Sequence, residues 1–241
     1  INSSNDLAMT LNGKGKFDDG YLDGFRLYDS RANFEVKENG FFLQDVEIMI
    51  GDTSFANGDG EILFTDQVDY KFDFKTNQLH LMDLLDIFSV DFKAYDAEIT
   101  SPNLQVIGSG APFKMKVTAT ALFANMDTPA TPYVKTIYKD SPNCIVGLNL
   151  DINSSGMSLD GSDGHCFTYP KNKKLSVEKN ITLPSNTIID SPISFSGPIH
   201  FGKQGMDMHI GSSNLNLELA NYFAQTPLKG SGPMLTTIKG P

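Results

Sequence analysis

The chain has 241 residues, a net charge of −10 at pH 7 and a pI of about 4.7. Its Lys and Arg residues form no stripe, which excludes a protein that binds nucleic acid through the phosphate backbone. No stretch approaches the ~20 consecutive apolar residues of a membrane-spanning helix, so we expect a soluble chain. The length suits one large all-β domain or two smaller ones.

The amino-terminal residue is Ile, and no charged and apolar leader accompanies it. We therefore expect a mature protein or a piece cut from a longer one, with any anchor outside this sequence. The first fifty residues then predict a meander of strands. Phe34 and Val36 share one face of a strand, residues 37–40 form a hairpin turn, and residues 41–50 form the returning strand.

Residues 60–88 form a unit that has an echo at 197–223. Each copy opens with a glycine followed by apolar residues two and four positions later, and each continues as an alternating strand. In the first copy Asn57-Gly58-Asp59-Gly60 predicts a turn before the unit. The apolar runs 84–88 and 219–223 predict short helices that close the two copies, whose registers differ by one residue.

The sequence between the two copies contains further alternating strands and one candidate boundary. Residues 113–123 alternate, and residues 125–143 are rich in proline and poor in apolar residues. Residues 144–152 alternate again. We therefore predict a first β-rich unit at 1–124, a linker or excursion from the sheet at 125–143, and a second unit at 144–241. One continuous sheet through both units is the other arrangement that fits.

The chain has two cysteines, Cys144 and Cys166. In an oxidising compartment a disulfide across this loop would contribute about 3 kcal/mol. The alternative is a pair of unpaired small hydrophobic residues, and both readings stay open.

Motifs of catalysis or metal binding are not recognised, so we expect no enzyme, no metal and no cofactor. Asp151-Ile152-Asn153-Ser154-Ser155-Gly156 resembles the start of a calcium loop, but Ser162 stands where a bidentate Glu is needed. A hairpin turn explains the same residues. His200 and His209 could approach each other across a hairpin, although each lies on the polar phase of its strand. A pair of glycosidase carboxylates is a third reading that no residue singles out.

The alternating strands provide the candidate ligand-binding residues. They are first of all core residues, and in a closed sandwich or barrel that would be their whole role. If the sheet is open, they would instead line a groove for a ligand's hydrocarbon, and a chain with nine Met and no Trp suits such an adaptable surface. The candidates are Tyr70, Phe72, Phe74, Phe113, Met115, Val117, Val146, Leu148, Leu150, Met206, Met208 and Ile210.

This succession resembles the β-rich periplasmic segments of the AsmA/TamB-like superfamily. The resemblance covers most of the chain outside residues 125–143. It is carried by Gly58-Asp59-Gly60-Glu61-Ile62-Leu63-Phe64, Leu79-His80-Leu81-Met82-Asp83-Leu84-Leu85, Phe195-Ser196-Gly197-Pro198-Ile199-His200-Phe201, Ser213-Asn214-Leu215-Asn216-Leu217 and the closing residues 227–233 and 239–241.

The resemblance implies a mainly β fold: a long, twisted antiparallel sheet that forms an open groove or curled half-barrel, with short helices. It also implies a non-enzymatic protein of the bacterial cell envelope whose apolar groove binds or conducts phospholipid or another acyl-chain ligand. The setting would be the periplasm, with a tether to the inner membrane outside this sequence and outer-membrane assembly proteins as further partners. The alternative is a secreted β-sandwich that binds glycan or protein.

Overall fold

The computed structural model describes residues 10–18, 20–22, 25–27, 29–50, 54–83, 96–127, 141–169, 189–200, 205–220 and 228–240. Residues 81–83 form a single helical turn. The other elements are β1 (Leu11–Phe17), β2 (Gly20–Leu22), β3 (Phe25–Leu27), β4 (Ser30–Lys37), β5 (Gly40–Ile50), β6 (Ser54–Leu63), β7 (Asp69–His80), β8 (Asp96–Gly110), β9 (Phe113–Asp127), β10 (Ser141–Asn153), β11 (Gly156–Tyr169), β12 (Ile189–His200), β13 (Met206–Asn216), α1 (Leu217–Ala220) and β14 (Ser231–Gly240).

One antiparallel sheet of 12 strands dominates the described residues. Its order is β1-β4-β5-β6-β7-β8-β9-β10-β11-β12-β13-β14, while β2 and β3 form a separate two-stranded ladder. The strands at the two ends of the sheet, β1 and β14, do not pair with each other within the described residues, so the sheet is open. The predicted fold class is therefore confirmed as a mainly β, open antiparallel sheet with short helices. The described strands do not form the two packed sheets of the alternative β-sandwich.

The connections differ in length between the two edges where the strands end. Tight turns join β4 to β5, β6 to β7, β8 to β9 and β10 to β11 at one edge. At the other edge residues 51–53 join β5 to β6, and the other strand pairs are separated by longer segments, such as 81–95, 128–140 and 170–188. We call the first edge the short-turn edge, because its hairpins need only a few residues to reverse the chain.

The sheet has one apolar face and one polar face. Along β7, Tyr70, Phe72 and Phe74 point to one side, whereas Lys71 and Asp73 point to the other. Residues that pair across antiparallel strands share a face, so the register assigns the residues of the other strands to the two faces. Near the edge opposite the short turns the polar face also contains buried apolar residues, Leu122 and Phe167. The main buried clusters lie on the apolar face and include Val46, Ile50, Ala56, Phe74, Leu79, Ile99, Ala121, Cys144, Val146 and Ile193.

The predicted boundary at 125–143 does not interrupt the sheet. Strand β9 continues to Asp127 and β10 begins at Ser141, so both strands extend into the proline-rich stretch. They pair from Phe123 with Cys144 to Lys114 with Asn153. Residues 128–140 lie outside the described part of the chain.

The two echoing units share a hairpin followed by a helical turn. In the first, β6 and β7 lead into residues 81–83, and in the second β12 and β13 lead into α1. The helix in the second unit begins at Leu217, earlier than the predicted run at 219–223. Asn216 explains the early start, because its side-chain Oδ1 accepts a hydrogen bond from the Glu218 N–H at 2.9 Å. The predicted helix at 84–88 lies outside the described residues.

Candidate functional site

Two cross-strand ladders on the apolar face lie next to the short-turn edge. The first ladder runs across the sheet through Leu11, Val36, Phe41, Ile62, Tyr70, Gly108, Met115, Ile152, Met157, Ile199, Met206 and Gly240. The second runs through Gly13, Phe34, Leu43, Gly60, Phe72, Val106, Val117, Leu150, Leu159, Gly197, Met208 and Ile238. With 12 strands about 4.8 Å apart, each ladder is about 50 Å long.

The ladders carry almost no polar chemistry. The one polar side-chain group among their residues is the Tyr70 hydroxyl, which donates a hydrogen bond to the Lys114 carbonyl oxygen at 3.1 Å. Burial raises the pKa of Tyr70 above its usual value, so the hydroxyl keeps its proton and remains a donor. The two ladders therefore form a continuous hydrocarbon surface.

Aromatic rings on this surface lie across glycines of neighbouring strands. A Cβ atom added to Gly60 would meet the Phe72 ring, one at Gly13 would meet the Phe34 ring, and one at Gly108 would meet Tyr70. The Phe72 and Phe74 rings are stacked with their centroids 5.6 Å apart. Because the rings cover the backbone instead of standing upright, the surface is smooth and apolar.

Burial differs between the ladders and the rest of the apolar face. Among the described ladder side chains only Ile152 is buried, and the others are half-buried or exposed. Toward the opposite edge the same face is buried at Ile50, Leu79, Ile99 and Ala121. Within the described residues each strand makes its main contacts with its neighbours in the sheet. Beyond the sheet, α1 packs against β11 and β13, and Leu81 of the helical turn packs against the buried cluster at the opposite edge. The ladders are therefore an apolar surface without a described covering layer.

The structure places all the predicted groove residues on the apolar face. Tyr70, Met115 and Met206 belong to the first ladder, although only the backbone of Met206 is described. The second ladder contains Phe72, Val117, Leu150 and Met208. The remaining candidates occupy other rows of the same face: Phe74, Phe113, Val146, Leu148 and Ile210.

Sequence reasoning missed 12 of the 19 residues with side chains on the two ladders. The residues not predicted include Phe34, Phe41, Leu43, Ile62, Ile152, Met157 and Ile199. Phe34 carried a detectable signal, since it alternates with the polar residues Asn33 and Glu35. In the structure its ring stacks on that of Phe41 with the centroids 5.3 Å apart. Gly13 and Gly60 interrupt the alternation of apolar and polar residues, because glycine has no side chain. The sequence pattern therefore does not show that these positions belong to the apolar face.

Cys144 and Cys166 form a disulfide between β10 and β11. They are paired directly across the hairpin, and their Sγ atoms are 2.01 Å apart. Cys144 is buried in a cluster with Val146 and Ile193, and Cys166 packs against the same cluster. The bridge thus lies on the apolar face, toward the edge opposite the short turns.

The polar face contains residues that fasten neighbouring strands to each other. The Asp73 carboxylate accepts a hydrogen bond from the Gln105 side chain at 2.7 Å, and Asp59 accepts one from the Asp45 N–H at 3.0 Å. These residues line two open depressions of about 510 and 530 Å³. Because the carboxylates already hold neighbouring groups, we read this row as a structural feature.

The calcium-like motif and the histidine pair do not form metal sites among the described residues. The calcium-like motif is the β10–β11 hairpin, in which the Asn153 Oδ1 accepts a hydrogen bond from the Ser155 N–H at 2.8 Å. His209 pairs with Ser196, whereas His200 lies at the far end of β12, so the two histidines are not opposite each other. The described residues contain no group of three or more His, Cys, Asp or Glu side chains that could hold a metal ion.

No helix among the described residues is long and apolar enough to span a membrane. No family model, no curated protein and no solved structure matches this chain.

Proposed function

We propose that the apolar face binds the acyl chains of phospholipid along the two ladders. The observation that carries this proposal is the pair of apolar ladders that cross all 12 strands and whose described side chains, except Ile152, remain half-buried or exposed. A single strand of this kind would be unremarkable, because much of any protein surface is apolar. A continuous strip about 50 Å long with a single polar side-chain group is larger than such scattered apolar surface, and surfaces of this kind mark binding sites.

The physical driving force is the removal of hydrocarbon from water. Covering apolar surface contributes roughly 25 cal/mol per Å², and each buried methylene group about 0.8 kcal/mol. An acyl chain is long, flexible and free of hydrogen-bonding groups, so it matches a surface that offers none. Met115, Met157 and Met208 add flexible side chains that adapt to a chain of variable shape.

The wider role follows from the resemblance to the AsmA/TamB-like superfamily. We place the protein in the periplasm of a bacterial envelope, tethered to the inner membrane by a segment outside this sequence. There it conducts phospholipid between the inner and outer membranes or assists outer-membrane assembly, without a cofactor and without catalysis. The Cys144–Cys166 bridge supports an oxidising compartment.

Substituting Phe72 with Glu tests the proposal. The Phe72 ring is half-buried on the second ladder, so a carboxylate at this position would remain partly hydrated in the free protein. A bound acyl chain would remove that water from the charge, which makes binding less favourable. We expect the variant to stay folded and to carry at least about tenfold less phospholipid, a loss of about 1.4 kcal/mol. Native mass spectrometry of the purified protein, followed by organic extraction, measures the bound lipid.

Met49→Glu is the matched control, because Met49 is an exposed apolar residue on the polar face. Its lipid content should equal that of the original protein. A clean mass without lipid, together with no uptake of a fluorescent fatty acid, would contradict the proposal. Unfolding of Phe72→Glu alone would instead indicate a closed core at this position.

A further inference from the structure

The turn between β6 and β7 exposes two apolar side chains at the short-turn edge. Phe64 is 55% exposed and Val68 is 45% exposed. The turn continues into Tyr70 of the first ladder, so its apolar tip adjoins the candidate acyl-chain surface. Side chains of this kind at the end of a hairpin contribute nothing to the core of the sheet.

The turn is held firmly in place by both neighbouring hairpins. The Phe64 N–H donates to the Asn39 carbonyl oxygen at 2.9 Å, in the β4–β5 turn. On the other side the Gly110 N–H donates to the Gln67 and Val68 carbonyl oxygens at 3.0 and 3.1 Å. Since the backbone is fixed on both sides, Phe64 and Val68 are held in exposed positions.

Val68 adopts a backbone conformation that is unfavourable for its side chain. Its φ angle is +55°, in the left-handed region where a β-branched residue is a true outlier. Glycine or asparagine would occupy this position without the same cost. An exposed valine kept at a strained position suggests that its side chain serves a purpose other than stability.

We infer that this turn docks the short-turn edge onto a lipid bilayer with zwitterionic headgroups. The inference rests on the proposed function, since docking brings the ladders to the acyl chains that they bind. Phe64 and Val68 enter the interface, where an aromatic ring and an aliphatic side chain are favoured. Asp66 and Lys114, both exposed at this edge, suit a headgroup that carries both charges. The net charge of −10 disfavours an anionic surface.

A tryptophan at position 64 reports on docking without interference, because the chain contains no other Trp. We expect the emission of Phe64→Trp to shift to shorter wavelength on addition of phosphatidylcholine vesicles and to be quenched by lipids carrying a nitroxide near the headgroup. Adding Val68→Asp to this variant should lower the apparent vesicle affinity by about tenfold or more. Met49→Trp, at an exposed position of the polar face, is the control and should not respond.

Two results would overturn the inference: an unchanged Phe64→Trp emission with vesicles, or an equal response of Met49→Trp. Binding of a soluble fluorescent fatty acid, measured on the same proteins, separates this inference from the proposed function. If fatty acid binds and vesicles do not, docking through this turn is wrong and acyl-chain binding stands. If neither binds, both are wrong.

Discussion

Glycines paired with aromatic residues determine the shape of the apolar surface at the scale of single residues. Gly60 lies opposite Phe72, and the ring occupies the space that a side chain at position 60 would need. Glycine in a strand usually weakens it, because the residue is flexible and packs nothing. Here its missing side chain lets the ring lie flat on the neighbouring strand.

Gly60→Ala therefore tests the pairing. An added Cβ would stand 2.1 Å from the Phe72 Cδ1 atom, so the ring must move. We expect a loss of about 1–3 kcal/mol in the free energy of unfolding, which disappears when Phe72→Ala is also present. Urea denaturation of the single and double variants measures this coupling. Gly232→Ala, where an added Cβ meets no atom within 4 Å, should be near neutral. Equal effects at both glycines would contradict the pairing.

Buried serines join strand to helical turn at the scale of elements. The Ser54 Oγ accepts a hydrogen bond from the His80 N–H at 2.9 Å, where β7 gives way to residues 81–83. The Ser191 Oγ accepts one from the Asn216 N–H at 2.7 Å, directly before α1. Both serines are fully buried and both lie six residues before the glycine that opens the predicted unit. Each of the two units thus contains an equivalent hydrogen bond from a backbone N–H to a buried serine.

Ser54→Ala and Ser191→Ala should each destabilise the sheet. Either substitution removes a buried acceptor from a backbone N–H, which costs about 1–3 kcal/mol. Thermal and urea unfolding measure the effect. The control is Ser194→Ala, since Ser194 is exposed and makes a longer contact of 3.4 Å with the Gly211 carbonyl oxygen. If the buried and exposed serines behave alike, these hydrogen bonds do not stabilise the transition from strand to helix.

At the scale of the whole molecule, contacts between neighbouring strands dominate the part of the chain that the structure describes. Such an arrangement resembles a linear array of repeats. In such an array the free energy of unfolding is the sum of a term for each unit and a term for each contact between neighbouring units. The Cys144–Cys166 bridge constrains one hairpin of this array. Its effect should therefore be strongest nearby and weaker toward the distant strands.

Replacing both cysteines with Ala tests this local coupling. The loop-closure estimate predicts a loss of about 3 kcal/mol. Hydrogen exchange followed by mass spectrometry should show the largest loss of protection in β10, β11 and β12 and a much smaller one in β4 and β5. A uniform loss across all strands would mean that the sheet unfolds as a single cooperative unit. The original protein under reducing conditions should reproduce the local pattern.

Sequence alone determined the strands and their faces, because alternation with a period of two is a local property. The alternation of Tyr70, Phe72 and Phe74 with charged residues was enough to place them on one face. Only the tertiary structure decided which strands pair, and thereby which residues form a ladder. Asn57-Gly58-Asp59-Gly60 was wrongly predicted to be a turn, since it lies within β6. Gly60 leaves room for the Phe72 ring, and a Cβ atom at Gly58 would collide with the Asp73 carbonyl oxygen of β7, contacts that local pattern does not encode. The exposed ladders were equally beyond the sequence, because exposure depends on what packs against a face, and that is settled only when the chain has folded.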